Sequence, residues 1–159
     1  MKAVICNPTP AKYLLMRFFA KKYPSLIYSP FCMANLTEIP EPNLINEEWV
    51  KIRTTISGIC GSDIGGLNGQ ESLYLEPYVS KEFVLGHENI GIITEIGKAV
   101  RNVTLNDRVA VFPFLACRQR GFKELCSYCK QGHYALCENV SEGNLAKGLS
   151  IGWNSDTSG

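Results

Sequence analysis

Four cysteines crowd into a stretch near the C-terminal end of the chain, CRQRGFKELCSYCKQGHYALC, as Cys117, Cys126, Cys129 and Cys137. Their spacing is C-x8-C-x2-C-x7-C. The C-x2-C pair makes a tight knuckle, and one thiolate from either side completes a tetrahedral shell for a single zinc ion. An all-thiolate shell leaves no open position, so the site is expected to be structural, in a lobe at residues 115–140. Metal binding there supplies folding free energy to a segment with few large apolar residues. The alternative is four buried free thiols. It fits poorly beside Arg118, Arg120, Lys123, Glu124, Lys130 and Gln131, which make a poor core sequence.

Three further cysteines bring the total to seven, an odd number that intramolecular disulfides cannot exhaust. The opening MKAVICNPTP lacks a basic region followed by an apolar one, so no export signal is read there and reduced thiols in a cytoplasmic setting are expected. The three N-x-[ST] triplets, at Asn35, Asn102 and Asn139, are then read as chance occurrences. Net charge is +1 over 159 residues, so no global field points to nucleic acid or an anionic surface. The basic run Arg118, Arg120, Lys123 and Lys130 is read as a solvated loop face, with no nucleic-acid partner. Fourteen glycines and eight prolines favour a turn-rich, mainly β architecture with short helices.

Residues 2–6 read as a strand. The apolar cluster at 13–20, YLLMRFFA, has Leu14/Phe18 and Leu15/Phe19 at i,i+4 spacing and predicts a short amphipathic helix. It is far too short to span a bilayer and is expected to pack on the domain, with no membrane partner. Residues 25–45 are rich in proline and mixed in character, and the run EIPEPNL within them reads as an extended connection. Residues 49–56 alternate as a half-buried strand, with Val50, Ile52 and Ile56 facing one way. SGICGSDIGGLNG reads as turn and short helix, residues 83–96 as a strand bent at its glycines, and 108–114 as a further strand. The tail GLSIGWNSDTSG is turn-like. No repeated βαβ unit occurs, and no G-x-G-x-x-G opens a helix after a strand.

A second ligand set is more dispersed. Cys60 lies in GICGSD, and His87 and Glu88 lie in LGHEN. Each alone reads as a buried small residue or a satisfied histidine. Together they offer sulfur, nitrogen and oxygen donors suited to zinc with an exchangeable position. Asp63 could orient the His87 imidazole, and Ser62 offers a hydroxyl beside the metal.

GICGSD, LGHENIG, DRVAV at 107–111 and the four-cysteine lobe, in that order, resemble the catalytic domain of zinc-containing medium-chain alcohol dehydrogenases. The resemblance spans nearly the whole chain, read as one domain over residues 1–159, incomplete at its C-terminal end. It implies an irregular GroES-like β-barrel and two zinc ions per chain, one catalytic and one structural. It implies that Cys60 and His87 hold the catalytic zinc. Glu88 matches a carboxylate that is a direct ligand in some members and stands behind the ligands in others. Ser62 matches the hydroxyl that bonds the reacting oxygen, and Asp63 the carboxylate that orients the zinc-bound histidine. Cys117, Cys126, Cys129 and Cys137 match the structural-zinc set. The implied activity is NAD- or NADP-linked oxidation of a secondary alcohol, polyol or sugar through a zinc-bound alkoxide, in a parent that forms homo-oligomers.

The sequence departs from that family in several places. Eight residues separate Cys117 from Cys126, where two are usual. Gly65 stands where some members carry a histidine that extends the proton relay. The segment at 11–23 is longer and more helical than the family pattern. The nucleotide-binding α/β domain is absent, as is a remaining zinc ligand from downstream. The expectation is a fragment of a longer dehydrogenase, inactive alone. The alternative is a non-enzymatic zinc-binding module.

Overall fold

The computed structural model describes residues 1–72 and 78–157. The described strands form two three-stranded antiparallel sheets. In the first, β1 (Lys2–Cys6) lies between β2 (Ala34–Glu38) and β4 (Phe83–Val84). In the second, β5 (Glu88–Ile96) lies between β3 (Val50–Gly58) and β6 (Arg108–Ala110). The mainly β architecture with short helices agrees with the sequence reading, but these two sheets do not close into the expected barrel.

Helix α1 (Pro10–Phe19) starts three residues before the apolar cluster. Thr9 accepts a hydrogen bond from the Lys12 N–H as N-cap, and Pro10 occupies the first turn, where its missing N–H costs nothing. Met16 and Ala20, one turn apart, enter a core with Cys6, Cys32, Met33 and Phe83. Leu14, Phe18 and Phe19 stay exposed, so the expected packing of this segment on the domain holds for one face only. No helix among the described residues is long and apolar enough to cross a membrane.

The mixed segment before EIPEPNL holds a 3-10 turn at Pro24–Tyr28 and then β2, whose residues are mostly exposed and carry no core periodicity, while residues 39–44 run without helix or strand, as expected. In β3 the expected single face breaks. Thr54 pairs with Gly91 and Ile56 with Ile90, so Thr55 is an extra residue and Ile56 turns outward, out of phase with Ile52. The strand expected at 83–96 is two strands in different sheets. The chain leaves β4 at Val84, turns through Gly86 at φ 115° and enters β5 at Glu88. On β5, Asn89, Gly91 and Ile93 are buried and Ile90 is exposed. The strand expected at 108–114 stops at Ala110, with Phe114 forming an isolated bridge to Ser150.

The tail is held from two segments. Leu115 N–H donates to Leu149 O and Ile151 N–H to Pro113 O, at 3.1 and 2.9 Å. Ser80 N–H donates to Trp153 O at 2.9 Å, and the Ser80 hydroxyl to Lys147 O at 2.6 Å. The tail's last two residues lie outside the described set.

Candidate metal centres

Helix α2 (Gly61–Leu67) follows directly from the end of β3, and Cys60 is its N-cap. Asp63, three residues on, turns back so that its Oδ2 accepts from the Cys60 N–H at 2.9 Å. This reciprocal cap fixes Cys60 and Asp63 relative to one another. Across the β3–β5 pair, Gly58 stands opposite Glu88. A Cβ at position 58 would overlap the Glu88 carboxylate, so the glycine makes room for that side chain to cross the strand. His87 comes in at the turn between β4 and β5. One ligand atom each from Cys60, His87 and Glu88 lies within 4.8 Å of the others.

Asp63 is almost fully buried, at 3% exposure, and its Oδ1 lies 3.2 Å from His87 Nδ1. The pair lacks the alignment of a hydrogen bond, and neither atom has another partner. A buried carboxylate in this state calls for positive charge nearby. A proton on Nδ1 facing Asp63 leaves Nε2 as the nitrogen available to the Cys60–Glu88 group. The donor set therefore fits a divalent zinc ion: mixed S, N and O donors, with the imidazole oriented from behind. Ser62 is half-buried in the first turn of α2, two residues after Cys60.

The lobe is built differently. Helix α3 (Ser127–Lys130) starts from Cys126, and a 3-10 turn at Tyr134–Leu136 leads into Cys137. The four sulfurs of Cys117, Cys126, Cys129 and Cys137 lie within 4.8 Å of one another, Cys117 and Cys137 at 3.6 Å. The long interval after Cys117 does not keep it out of the cluster. N–H groups point at these sulfurs: Asn139 Nδ2 and Cys126 N to Cys117 at 3.3 and 3.4 Å, and Asn139 N to Cys137 at 3.4 Å. Backbone hydrogen bonds from Glu138 and Cys129 pull the Cys126 thiol down to about 6. Burial pushes Cys129 up to about 12 and also raises Cys137. Such a cage fits one zinc ion, whose charge would stabilise all four thiolates at neutral pH.

Sequence reasoning misplaced Arg120. The chain reads as if it were part of a solvated basic face, yet it is 0% exposed. Its Nε donates to Leu115 O at 2.9 Å, and Nη1 donates to Glu142 O at 3.0 Å and Ala146 O at 3.2 Å. Nη2 donates to Gly148 O. Burial lowers its pKa, and Cys137 and Asp156 oppose that shift. Arg120 thus ties the cysteine lobe to the tail that braces β4 and β5. The other glycine and polar partners of this frame, Gly58, Gly152, Ser80 and Asn154, also gave no signal in the sequence.

Residues 46–155 match the model of the alcohol dehydrogenase GroES-like domain, and the chain belongs to that family. It is 35% identical over 111 residues to a zinc-type alcohol dehydrogenase-like protein of Schizosaccharomyces pombe, covering 69% of this chain and 24% of that protein. It is 38% identical over 120 residues to a probable D-xylulose reductase A of Emericella nidulans, covering 68% and 30%. The crystal structure of galactitol-1-phosphate dehydrogenase from Escherichia coli shares the fold, with a TM-score of 0.60 and 22% identity over all of this chain and 33% of that one. The chain thus spans about a quarter to a third of the length of these relatives.

Proposed function

We propose that this chain is the zinc-binding catalytic domain of an NAD(P)-linked dehydrogenase acting on a secondary alcohol, polyol or sugar, over residues 1–159. The observation that carries the reading is the convergence of Cys60, His87 and Glu88, with the buried Asp63 carboxylate behind the imidazole. Cys60 and His87 would hold a catalytic zinc, with Glu88 as a third protein donor or a carboxylate that swings away. Cys117, Cys126, Cys129 and Cys137 would hold a structural one. Zinc in the first site supplies Lewis acidity, lowering the pKa of a bound hydroxyl and polarising a carbonyl.

The chain's own residues do the rest. Asp63 keeps the His87 proton on Nδ1 and fixes the helix entry that presents Cys60. Ser62, half-buried on the first turn of α2, takes the hydroxyl proton of the substrate and passes it outward. Gly65 has no side chain to continue that path, so the proton leaves to water. Hydride acceptance requires a nicotinamide-binding partner domain, since this sequence has no G-x-G-x-x-G. The names of the relatives, xylulose reductase among them, support the polyol class. We place the domain in a homo-oligomeric cytoplasmic parent.

Metal counting tests this reading. Purified chain is expected to carry two zinc ions, and the paired substitution Cys60→Ser with His87→Ala is expected to leave one. Cobalt exchange should give two distinguishable sets of thiolate-to-metal absorption bands. A single ion per chain, unaffected by that pair of substitutions, refutes the catalytic assignment and leaves a structural zinc module.

A further inference from the structure

The N-terminal region carries a charge pattern that the whole-chain value of +1 conceals. Residues 1–37 contain Lys2, Lys12, Arg17, Lys21 and Lys22 and no acidic residue. All fifteen acidic residues lie beyond position 37, against eleven of the sixteen basic ones. Between positions 14 and 31 it exposes six large apolar side chains: Leu14, Phe18, Phe19, Tyr23, Tyr28 and Phe31. Phe18 is 70% exposed, Phe31 63% and Tyr28 91%.

These are not scattered residues. At about 100° per residue, Leu14 and Phe18 fall on the side of α1 opposite Met16, which is fully buried. Phe19 follows about 100° further round the helix, and Tyr23 lies just beyond its end. Lys21 and Lys22 come directly after the helix, with Lys22 Nζ 5.4 Å from the centre of the Tyr23 ring. Tyr28 borders the same cleft as Ala20 and Lys21.

The platform is rigidly mounted. Tyr13 Oη donates to Glu71 O at 2.7 Å, and Arg17 Nη1 donates to Gly69 O at 2.8 Å. Gly69, at φ 65°, lies so close that a Cβ there would meet the backbone of α1 at 2.8 Å. Leu14, Phe18 and Phe19 are therefore presented by a fixed helix, and Tyr28 by the 3-10 turn that follows it.

We propose that this face, α1 with the following 3-10 turn, docks on an anionic lipid surface. A bilayer interface offers a negatively charged layer directly over hydrocarbon, which matches basic residues interleaved with exposed aromatics. Apolar insertion and basic attraction together give the two signals that reversible peripheral binding requires. A second copy is a poor occupant. A twofold contact would bring Lys21 and Lys22 against their own copies, cation on cation, with no acidic residue in segment 1–37 to offset them. The inference reverses the expectation of no membrane partner and is independent of the dehydrogenase reading.

The test is flotation of the full, zinc-loaded chain with vesicles. One set is phosphatidylcholine alone, and the other contains about one-third phosphatidylserine. Binding is expected to be about tenfold tighter to the anionic set and to fall steeply as salt rises. Phe18→Ser with Tyr28→Ser should weaken it about tenfold. Lys21→Gln with Lys22→Gln should remove the difference between the lipids. Both pairs should keep the zinc content and far-UV circular dichroism of the parent. Three outcomes overturn the proposal: no flotation with anionic vesicles, flotation that these substitutions leave unchanged, or a dimer in sedimentation analysis that Phe18→Ser abolishes. Capture on polyglutamate without vesicle binding would assign the patch to an acidic polypeptide and also overturn it.

Discussion

Gly152 in the tail and Gly86, the residue before His87, meet backbone against backbone. A Cβ at position 152 would overlap the Gly86 carbonyl, and Gly152 sits at φ 79°, where side chains are strained. The contact fixes the turn that delivers His87 to Cys60 and Glu88. Gly152→Ala is expected to cost about 1–3 kcal/mol and to displace His87. Urea denaturation should show the loss. Zinc counting should show depletion of one ion, with the four-cysteine lobe still loaded.

Asp63 and His87 make a second test. In Asp63→Asn, the side-chain oxygen can still accept from the Cys60 N–H, so the cap survives. The amide N–H2 then faces His87 Nδ1 and favours the tautomer that carries its proton on Nε2, which cannot ligate. Zinc affinity at the Cys60–His87–Glu88 site is expected to fall about 10–100-fold, with the lobe unaffected. Competition with a chromophoric chelator, which reads the two ions as separate phases, checks this. Equal retention of both ions would remove Asp63 from its orienting role.

The four-cysteine lobe could be read from the chain because its donors are local, within one short stretch. Cys60 and His87 come from different strand ends, and only their surrounding motifs linked them. The faces of β3 could not be read, since Thr55 is an inserted residue that no pattern of apolar spacing marks. Strand β2 escaped because its mostly exposed residues carry no core periodicity. Arg120 escaped for another reason. Its partners are main-chain carbonyls up to 28 residues away, and carbonyls leave no trace in side-chain identity.

Arg120 also yields a prediction. A buried cation held only by carbonyl oxygens has no surplus of partners, so shortening its fork leaves several of them unpaired. Arg120→Lys is expected to destabilise by about 2–4 kcal/mol, and Arg120→Met by at least as much. Both should loosen the tail, which hydrogen exchange at Leu115, Leu149 and Ile151 would report as lost protection. Unchanged protection in either variant would show that the lobe and tail are coupled by other contacts.

Cys6 predicts how the β1–α1 core responds to alkali. Burial first, and then neighbouring Cys32, push its thiol up from 9.0 to about 12. Between those values the folded state keeps a proton that the unfolded chain has released. Raising the pH therefore favours unfolding. This contribution is fully present below pH 9.0 and is lost as the pH climbs toward about 12. The slope is on the order of 1.4 kcal/mol per pH unit. In zinc-loaded protein the lobe thiolates are held by metal, so Cys6 should stand out among the thiols. Urea midpoints from pH 8 to about 11 are expected to fall more steeply for the parent than for Cys6→Ala, whatever the variant loses in absolute stability. Parallel slopes would mean that Cys6 ionises in the folded state as readily as in the unfolded one.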